Sequence, residues 1–271
     1  MLVTQIAQAW PGDPVPRVRM LPTLVNARSV PASTGKDSRV VIGLDGTELR
    51  PVAIDLLGGE PHLLIVGDSE SGKTTLLRLI IDDLIGRFSD DELVFAVFDI
   101  RRTLLDVVPE DYLGAYAGTA PVAAGMAGAV AGELRKRLPP DDVTAAALRA
   151  RSWWKGPEIV VIADDYDLLS TGGPGPLAPF VEFLPQARDL GFHMVVARRS
   201  GGAGRAMYEP IPQRMREVGA TGLLFSGDRQ EGQLFPGAPM AVLPPGRAQL
   251  VRRGRKPQLI QVSYLPEPAG S

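Results

Sequence analysis

At 271 residues, 45% of them hydrophobic, the chain is long enough to form one large domain around a sizeable core. Its net charge is −2 with both signs interspersed, so no overall field attracts nucleic acid or an acidic membrane. The lack of cysteine excludes disulfides, thiolate metal sites and a cysteine nucleophile, and no apolar run approaches the ~20 residues of a membrane-spanning helix.

Residues 1–39 are predicted to be an extended arm or linker, because prolines and glycines interrupt short apolar stretches from residue 10 onward. Residues 40–271 are predicted to form the main domain. This domain opens with a β-hairpin, in which the apolar runs Val40–Leu44 and Pro51–Leu56 flank the turn-like Asp45–Thr47.

The rest of the chain alternates between strand and helix patterns. The apolar runs predicted to be strands are His62–Val66, Leu93–Phe98, Ile159–Ile162, Phe192–Ala197 and Gly222–Phe225. The predicted helices are Thr75–Arg87, Val122–Leu138, Asp141–Arg151 and Leu177–Leu190. This alternation predicts an α/β fold with a mostly parallel sheet and helices on both of its faces.

One loop carries the strongest functional signal. Residues 67–74 read Gly-Asp-Ser-Glu-Ser-Gly-Lys-Thr and match the pattern G-x-x-x-x-G-K-[ST] between a predicted strand and a predicted helix. Glycines let the backbone N–H groups surround a phosphate, and the helix adds the positive end of its dipole. The pattern therefore predicts a P-loop NTPase. The residues predicted to bind the nucleotide are Gly67, Asp68, Ser69, Glu70, Ser71, Gly72, Lys73, Thr74 and Thr75.

Two acids, Asp164 and Asp165, follow the strand Ile159–Ile162 and supply the second part of such a site. Asp164 is predicted to hold Mg²⁺ together with Thr74, and Asp165 lies where a second acid would orient the attacking water. Adjacent acids at a strand end can also simply cap the next helix. Because a P-loop lies upstream, we favour the interpretation that the two acids belong to a site for ATP and Mg²⁺ over the interpretation that they cap a helix.

The same region predicts that ATP is bound well but hydrolysed slowly. Strong hydrolases of this architecture have glutamate where this chain has Asp165, which is about 1.5 Å shorter, and a misplacement of ~1 Å can cost about 100-fold in rate. Arg198, after the fourth of these strands, is predicted to stabilise phosphate charge, but arginine can neither accept a proton nor align a water as an amide does. Asp165 and Arg198 are the predicted catalytic residues.

Four stretches carry a resemblance to a known family: Gly67–Thr75, Val161–Leu169, Val196–Gly202 and Gly222–Arg229. On these, the chain resembles the additional-strand, RecA/FtsK-like ATPases of the FtsK/SpoIIIE family, and within it the EccC motors of bacterial type VII (ESX) secretion. The resemblance covers nearly the whole chain. The P-loop is generic, whereas the second and third stretches are far more specific.

The resemblance implies a motor with several ATPase domains in tandem, of which this chain is most similar to the C-terminal one. Later domains of such motors are degenerate and act in substrate recognition and control. The implied partners are the neighbouring ATPase domains of the same motor and the C-terminal signal of a secreted WXG100/Esx-type protein. The implied location is cytoplasmic, as the soluble part of an inner-membrane-associated secretion complex, without direct membrane contact by this chain.

The alternative function is an FtsK-like translocase of double-stranded DNA. Near-neutral charge and the altered catalytic acid argue against it, and we do not expect nucleic acid to be a partner. The observation in its favour is a local basic cluster that could follow phosphates, made of Arg247, Arg252, Arg253, Arg255 and Lys256. The same cluster also suits a solvated strand and turn.

Trp153 and Trp154 are adjacent, just before the strand that ends in the two acids. An exposed pair of tryptophans could be a docking site for a partner, whereas a pair packed against the sheet would be structural. The sequence favours packing for at least one of the two rings.

Overall fold

The fold is built on a ten-stranded sheet with helices on both faces. The computed structural model describes residues 2–10, 12, 20–170 and 175–266. The α-helices are α1 (Leu2–Ala9), α2 (Lys73–Ile85), α3 (Ala120–Lys136), α4 (Ala145–Ala150), α5 (Tyr166–Leu169), α6 (Ala187–Leu190), α7 (Ala203–Ala206) and α8 (Pro210–Glu217). The strands are β1 (Val40–Asp45), β2 (Pro51–Ile54), β3 (His62–Val66), β4 (Leu93–Asp99), β5 (Leu113–Ala117), β6 (Glu158–Asp164), β7 (Phe192–Arg198), β8 (Thr221–Leu224), β9 (Gln233–Phe235), β10 (Ala238–Pro239), β11 (Arg247–Val251) and β12 (Gln258–Val262).

The sheet joins a parallel part to an antiparallel part. Its strand order is β2-β1-β12-β11-β8-β3-β7-β6-β4-β5. The strands from β8 to β5 are parallel, while β11, β12, β1 and β2 pair antiparallel. This arrangement confirms the predicted α/β fold class. It also brings the carboxyl ends of β3, β7, β6 and β4 to one edge, where ligands bind in open α/β sheets.

The core lies in two layers, one on each face of the sheet. In β3, Leu63 and Ile65 pack in the layer that contains α2, whereas Leu64 and Val66 pack in the layer that contains α3. Both layers cover β3 completely, which is why its sequence is a continuous apolar run rather than an alternating one. Helix α2 is buried on one face only, which is made of Leu76, Leu77, Ile80, Ile81 and Leu84.

Two of the predicted helices differ from the structure. The segment predicted as the helix Leu177–Leu190 is instead two 3₁₀ turns, Ala178–Phe180 and Leu184–Gln186, followed by the single turn of α6. Pro179 and Pro185 lie in these turns, and each removes the N–H that a continuous helix would need. The helix predicted from Asp141 starts later, because Thr144 caps α4 by accepting a hydrogen bond from the Ala147 N–H at 3.1 Å.

Several elements had no predicted counterpart. They are the helices α1, α5, α7 and α8, the five-residue edge strand β5 and the strands β9 to β12. Helix α1 lies within the predicted arm, whose residues 11 and 13–19 fall outside the described part. The domain boundary at residue 39 stays a prediction. No helix in the described ranges is both long and apolar enough to cross a bilayer.

Candidate nucleotide-binding site

The glycine-rich loop predicted from the sequence lies between the ends of two neighbouring strands. The Gly67 N–H donates to the Arg198 carbonyl at the end of β7 (3.2 Å), and the Asp68 N–H donates to the Ser226 carbonyl just after β8 (2.7 Å). Helix α2 then begins at Lys73. The first N–H groups of a helix have no partner within it, so the loop directs free donors and a positive dipole end toward a ligand.

Two glycines of this loop are required by its geometry. Gly72 has φ +112°, in the left-handed half of backbone space that side chains disfavour. A Cβ on Gly67 would lie 2.6 Å from the Cβ of Phe225, which is too close for two carbon atoms. The spacing of the motif therefore reflects local backbone constraints of this chain as well as the ligand it suits.

Lys73 is an almost fully buried cation without a carboxylate partner in the described ranges. Its Nζ donates to the carbonyls of Gly67 (2.9 Å) and Asp68 (2.6 Å) within its own loop. Burial lowers the pKa of Lys73, while the carboxylates of Asp164 and Asp165 oppose this effect. The hydroxyl of Ser71 is also buried and lacks a hydrogen bond in the described part of the chain. A phosphate would give the Ser71 hydroxyl an acceptor and the Lys73 ammonium an anionic partner, so these residues fit a nucleotide.

The two residues predicted to hold magnesium are in contact. Thr74 Oγ1 donates to Asp164 Oδ2 at 2.7 Å across 90 positions of sequence, and the Asp165 N–H donates to the other oxygen at 2.9 Å. Asp164 is only 1% exposed, and burial raises its pKa against the effect of the Thr74 hydrogen bond. A buried carboxylate of this kind is stabilised by a nearby cation. The pair fits Mg²⁺ between the loop and β6.

Asp165 has an unusual backbone. Its φ is 47° and its ψ 48°, a left-handed conformation that costs a non-glycine residue about 1–2 kcal/mol. It precedes α5, but its side chain makes no capping hydrogen bond, so helix capping does not explain it. Instead its Oδ2 lies 3.1 Å from Nε of Arg101. The second acid therefore lies beside the first, but it is paired with an arginine of its own chain.

The backbone carbonyl of Arg198 contacts the phosphate loop, but its side chain makes its hydrogen bonds elsewhere. Its side chain is on the same face of β7 as Val196, in the layer opposite α2, and is 3% exposed. Its Nε donates to the Arg199 carbonyl at 3.1 Å, and its nearest carboxylate is that of Glu209 at 4.0 Å. Burial lowers the pKa of Arg198. This position does not support the predicted phosphate contact, because strand alternation directs the side chain to the other layer.

Ser200 is the residue that connects the loop after β7 to the P-loop. Its hydroxyl donates to the Asp68 carboxylate, and Arg199 pairs with Asp167 through Nε at 2.7 Å. These contacts hold the exposed Asp68 side chain against the loop after β7.

Two further residues of the site were not predicted. Arg101 and Thr103 both follow β4, and Thr103 Oγ1 lies 3.2 Å from Asp164 Oδ2. The sequence contains a usable signal, because β4 and β6 are adjacent parallel strands and the residues after them meet at one edge. Recognising that signal required the strand order, which sequence pattern alone does not provide.

Comparisons with known proteins agree with this geometry. The sequence profile of the FtsK/SpoIIIE family matches residues 25–131. The ESX-4 secretion system protein EccC4 of Mycobacterium tuberculosis is 42% identical over 260 residues, which are 95% of this chain and 21% of that protein. The chain thus spans about a fifth of the length of EccC4 and of the Thermomonospora curvata EccC, and less than half of the length of the EccCb1 relatives.

Two solved structures are also similar. The cytoplasmic domain of the type VII secretion ATPase EccC from Thermomonospora curvata superposes with a TM-score of 0.91 at 41% identity, covering 98% of this chain and 31% of that one. ATPases 2 and 3 of the same EccC, in complex with a signal sequence peptide, give a TM-score of 0.90 over 98% of this chain and 47% of that one. The chain therefore belongs to the FtsK/SpoIIIE family, in the branch that contains the EccC ATPases of ESX secretion systems.

Proposed function

We propose that the chain is an ATP-binding, slowly hydrolysing domain of a type VII secretion motor, which serves regulation and substrate recognition. The observation that carries the nucleotide part is the 2.7 Å hydrogen bond from Thr74 to Asp164, which joins the P-loop to the acidic end of β6. The secretion part rests on the similarity to EccC. In this proposal the chain is the C-terminal ATPase domain, its neighbours are the other ATPase domains, and it works on the cytoplasmic side of an inner-membrane complex.

The phosphates would be held by N–H groups of the loop and of the start of α2, together with Lys73. Lys73 now donates to two carbonyls of its own loop, so its ammonium must exchange those acceptors for phosphate oxygens. Thr74 and Asp164 would hold Mg²⁺, which supplies charge neutralisation to the phosphates when it is bound. Hydrolysis would be slow because Asp165 is short and paired with Arg101, and because Arg198 lies in the opposite layer.

Substituting Lys73 tests the nucleotide site. Lys73→Ala should lower the affinity for Mg·ATP by about 100-fold, since it removes a charge-assisted contact of roughly 2–3 kcal/mol. Isothermal titration measures the affinity, and circular dichroism checks that the fold persists. Lys155→Ala, an exposed lysine, is the matched control and should bind like the wild type. Unchanged affinity in Lys73→Ala would refute the assignment, and titration with GTP reports the base preference.

A peptide partner is supported by a groove beside β11. The groove has a volume of about 630 Å³, an apolar floor that includes Met207 and Phe235, and a rim that includes the exposed Tyr208, Arg253 and Arg255. An apolar floor with a cationic rim suits an amphipathic peptide that ends in a carboxylate. We therefore assign the C-terminal signal of a WXG100/Esx-type protein to this β11 groove.

The DNA alternative is weakened by the contacts of the basic cluster. Arg247 donates to the Pro22 carbonyl at 2.8 Å, and Arg252 donates to Glu60 at 2.6 Å. Two of the five cations thus have partners inside the chain. Their guanidinium groups hold the arm and the sheet together rather than facing a ligand.

Titration of the peptide and of duplex DNA separates the two functions. The peptide should bind to the wild type, and Tyr208→Ala combined with Arg253→Ala should weaken it about tenfold or more through lost packing and charge. Lys136→Ala, which breaks an exposed ion pair with Glu133 outside the groove lining, is the control. Duplex DNA should bind weakly at any salt concentration. Tight DNA binding with a steep salt dependence would instead favour the translocase.

A further inference from the structure

The segment after β4 contacts both acids of the site, and its Thr103 shares Oδ2 of Asp164 with Thr74 of the P-loop helix. This β4 loop, residues 100–108, places Arg101 Nε 3.1 Å from Asp165 Oδ2 and Thr103 Oγ1 3.2 Å from Asp164 Oδ2. The fully buried Asp99 anchors it by accepting the Leu104 N–H at 2.6 Å. The loop is thus attached to the sheet next to the two acids, since Asp99 is paired with Asp164 in the register of β4 and β6.

The two ends of the ion pair differ in exposure. The Asp165 side chain is 12% exposed, whereas that of Arg101 is 48% exposed. The left-handed backbone at Asp165 and the bond from its N–H to Asp164 limit where its carboxylate can point. Arg101 reaches it from the solvent side. The arginine therefore occupies the approach to the carboxylate that a water molecule would need.

Pairing changes what Asp165 can do. An acid orients or deprotonates water by accepting a hydrogen bond from it, and the acceptor must lie within about 2.6–3.2 Å of that water. A guanidinium on the same oxygen competes for the acceptor and adds a fixed positive charge. The shorter reach of aspartate adds to this competition, because a carboxylate held by Arg101 through Oδ2 has less freedom to extend toward a γ-phosphate.

We propose that Arg101 is a positioning residue that withholds Asp165 from the attacking water and so keeps this domain a nucleotide binder rather than a fast hydrolase. The proposal rests on the function proposed above, since it presupposes nucleotide at the P-loop. It assigns slow turnover to a specific contact within the chain, in addition to the missing methylene of Asp165.

The test compares Arg101→Gln with Arg101→Lys. Arg101→Gln removes the charge at similar length and should raise the rate of ATP hydrolysis about tenfold, while the affinity for Mg·ATP stays within about twofold. Arg101→Lys keeps the charge and should restore most of the repression. Arg102→Gln is the matched control, because Arg102 adjoins Arg101 and has no ion pair to either acid in the described part of the chain.

A double variant tests whether the gain in hydrolysis rate acts through Asp165. Arg101→Gln combined with Asp165→Asn should lose the gain in rate, because the released carboxylate would be gone. Unchanged turnover in Arg101→Gln, or a gain that survives Asp165→Asn, overturns the proposal. A large loss of nucleotide affinity in Arg101→Gln also overturns it, since Arg101 would then be a phosphate ligand. If the wild type binds no nucleotide, the failure lies in the proposed function instead.

Discussion

At the scale of single residues, position in the sheet decides which of the predicted site side chains lie close together. Lys73, Thr74 and Asp164 meet at the carboxyl ends of β3 and β6, as their motifs predict. Arg198 ends β7 at the same edge of the sheet. Its side chain lies in the opposite layer, because side chains alternate between the two faces along a strand and Arg198 shares its face with Val196. Residue type and spacing were sufficient for the first group, and side-chain direction was decisive for Arg198.

The paired tryptophans are held by contacts within the chain. Trp153 Nε1 donates to the Arg137 carbonyl at 2.7 Å, and Trp154 Nε1 donates to the Asp189 carbonyl at 2.8 Å. The guanidinium of Arg137 also lies 4.3 Å from the centre of the Trp154 ring. These contacts support packing over partner docking for both rings.

Truncating Trp154 should therefore destabilise the fold. Trp154→Ala is expected to lower the free energy of unfolding by about 2 kcal/mol, from lost packing and the lost cation–π contact. Urea denaturation followed by circular dichroism measures this. Tyr208→Ala, at a side chain that is 79% exposed, should change stability by less than about 0.5 kcal/mol. Equal small losses in the two variants would contradict the packing role.

At the scale of elements, the segment 177–190 shows tertiary contacts replacing a helix. Its 3₁₀ turns keep Phe180, Phe183 and Leu184 buried, so the apolar residues that suggested a helix do face the core. His62 at the start of β3 stabilises this form, since its Nε2 lies 3.0 Å from the Leu184 carbonyl. The apolar residues of this segment are buried as they would be on one face of a helix, but the two prolines replace most of the predicted helix with 3₁₀ turns.

The buried His62 should make stability depend on pH. Burial lowers its pKa from 6.5 to about 4, so the folded chain binds fewer protons there than the unfolded chain. The His62 contribution is complete above about pH 6.5 and is lost as pH falls toward about 4, for a total of roughly 3 kcal/mol. His62→Gln, which does not titrate, should lose less stability than the wild type between these limits.

Urea denaturation at several pH values would test this expectation. The stability difference between wild type and His62→Gln should narrow or reverse as pH falls. His193, 2.8 Å from Glu158, is kept in both proteins, so only residue 62 differs between them. Parallel pH curves for the two proteins would show that His62 does not carry the effect.

At the scale of the whole molecule, the antiparallel strands join the two ends of the chain to the nucleotide-binding part. The sheet runs from the hairpin of β1 and β2 through β12 and β11 to β8, which is next to β3. The described arm packs on this edge, where Val25 and Val30 are buried and the Tyr264 N–H donates to the Val25 carbonyl. Residues far apart in sequence therefore support the strand that ends in the P-loop.

The sequence by itself determined the local parts: the continuous apolar strands, the glycine positions of the phosphate loop, and the acids after β6. Each depends on short-range constraints that residue type and spacing express directly. Only the tertiary structure decided the contact of Arg101 with Asp165 and the layer that the Arg198 side chain enters. These depend on which strands are neighbours and on which face each side chain lies, and both are set by packing across the whole sheet.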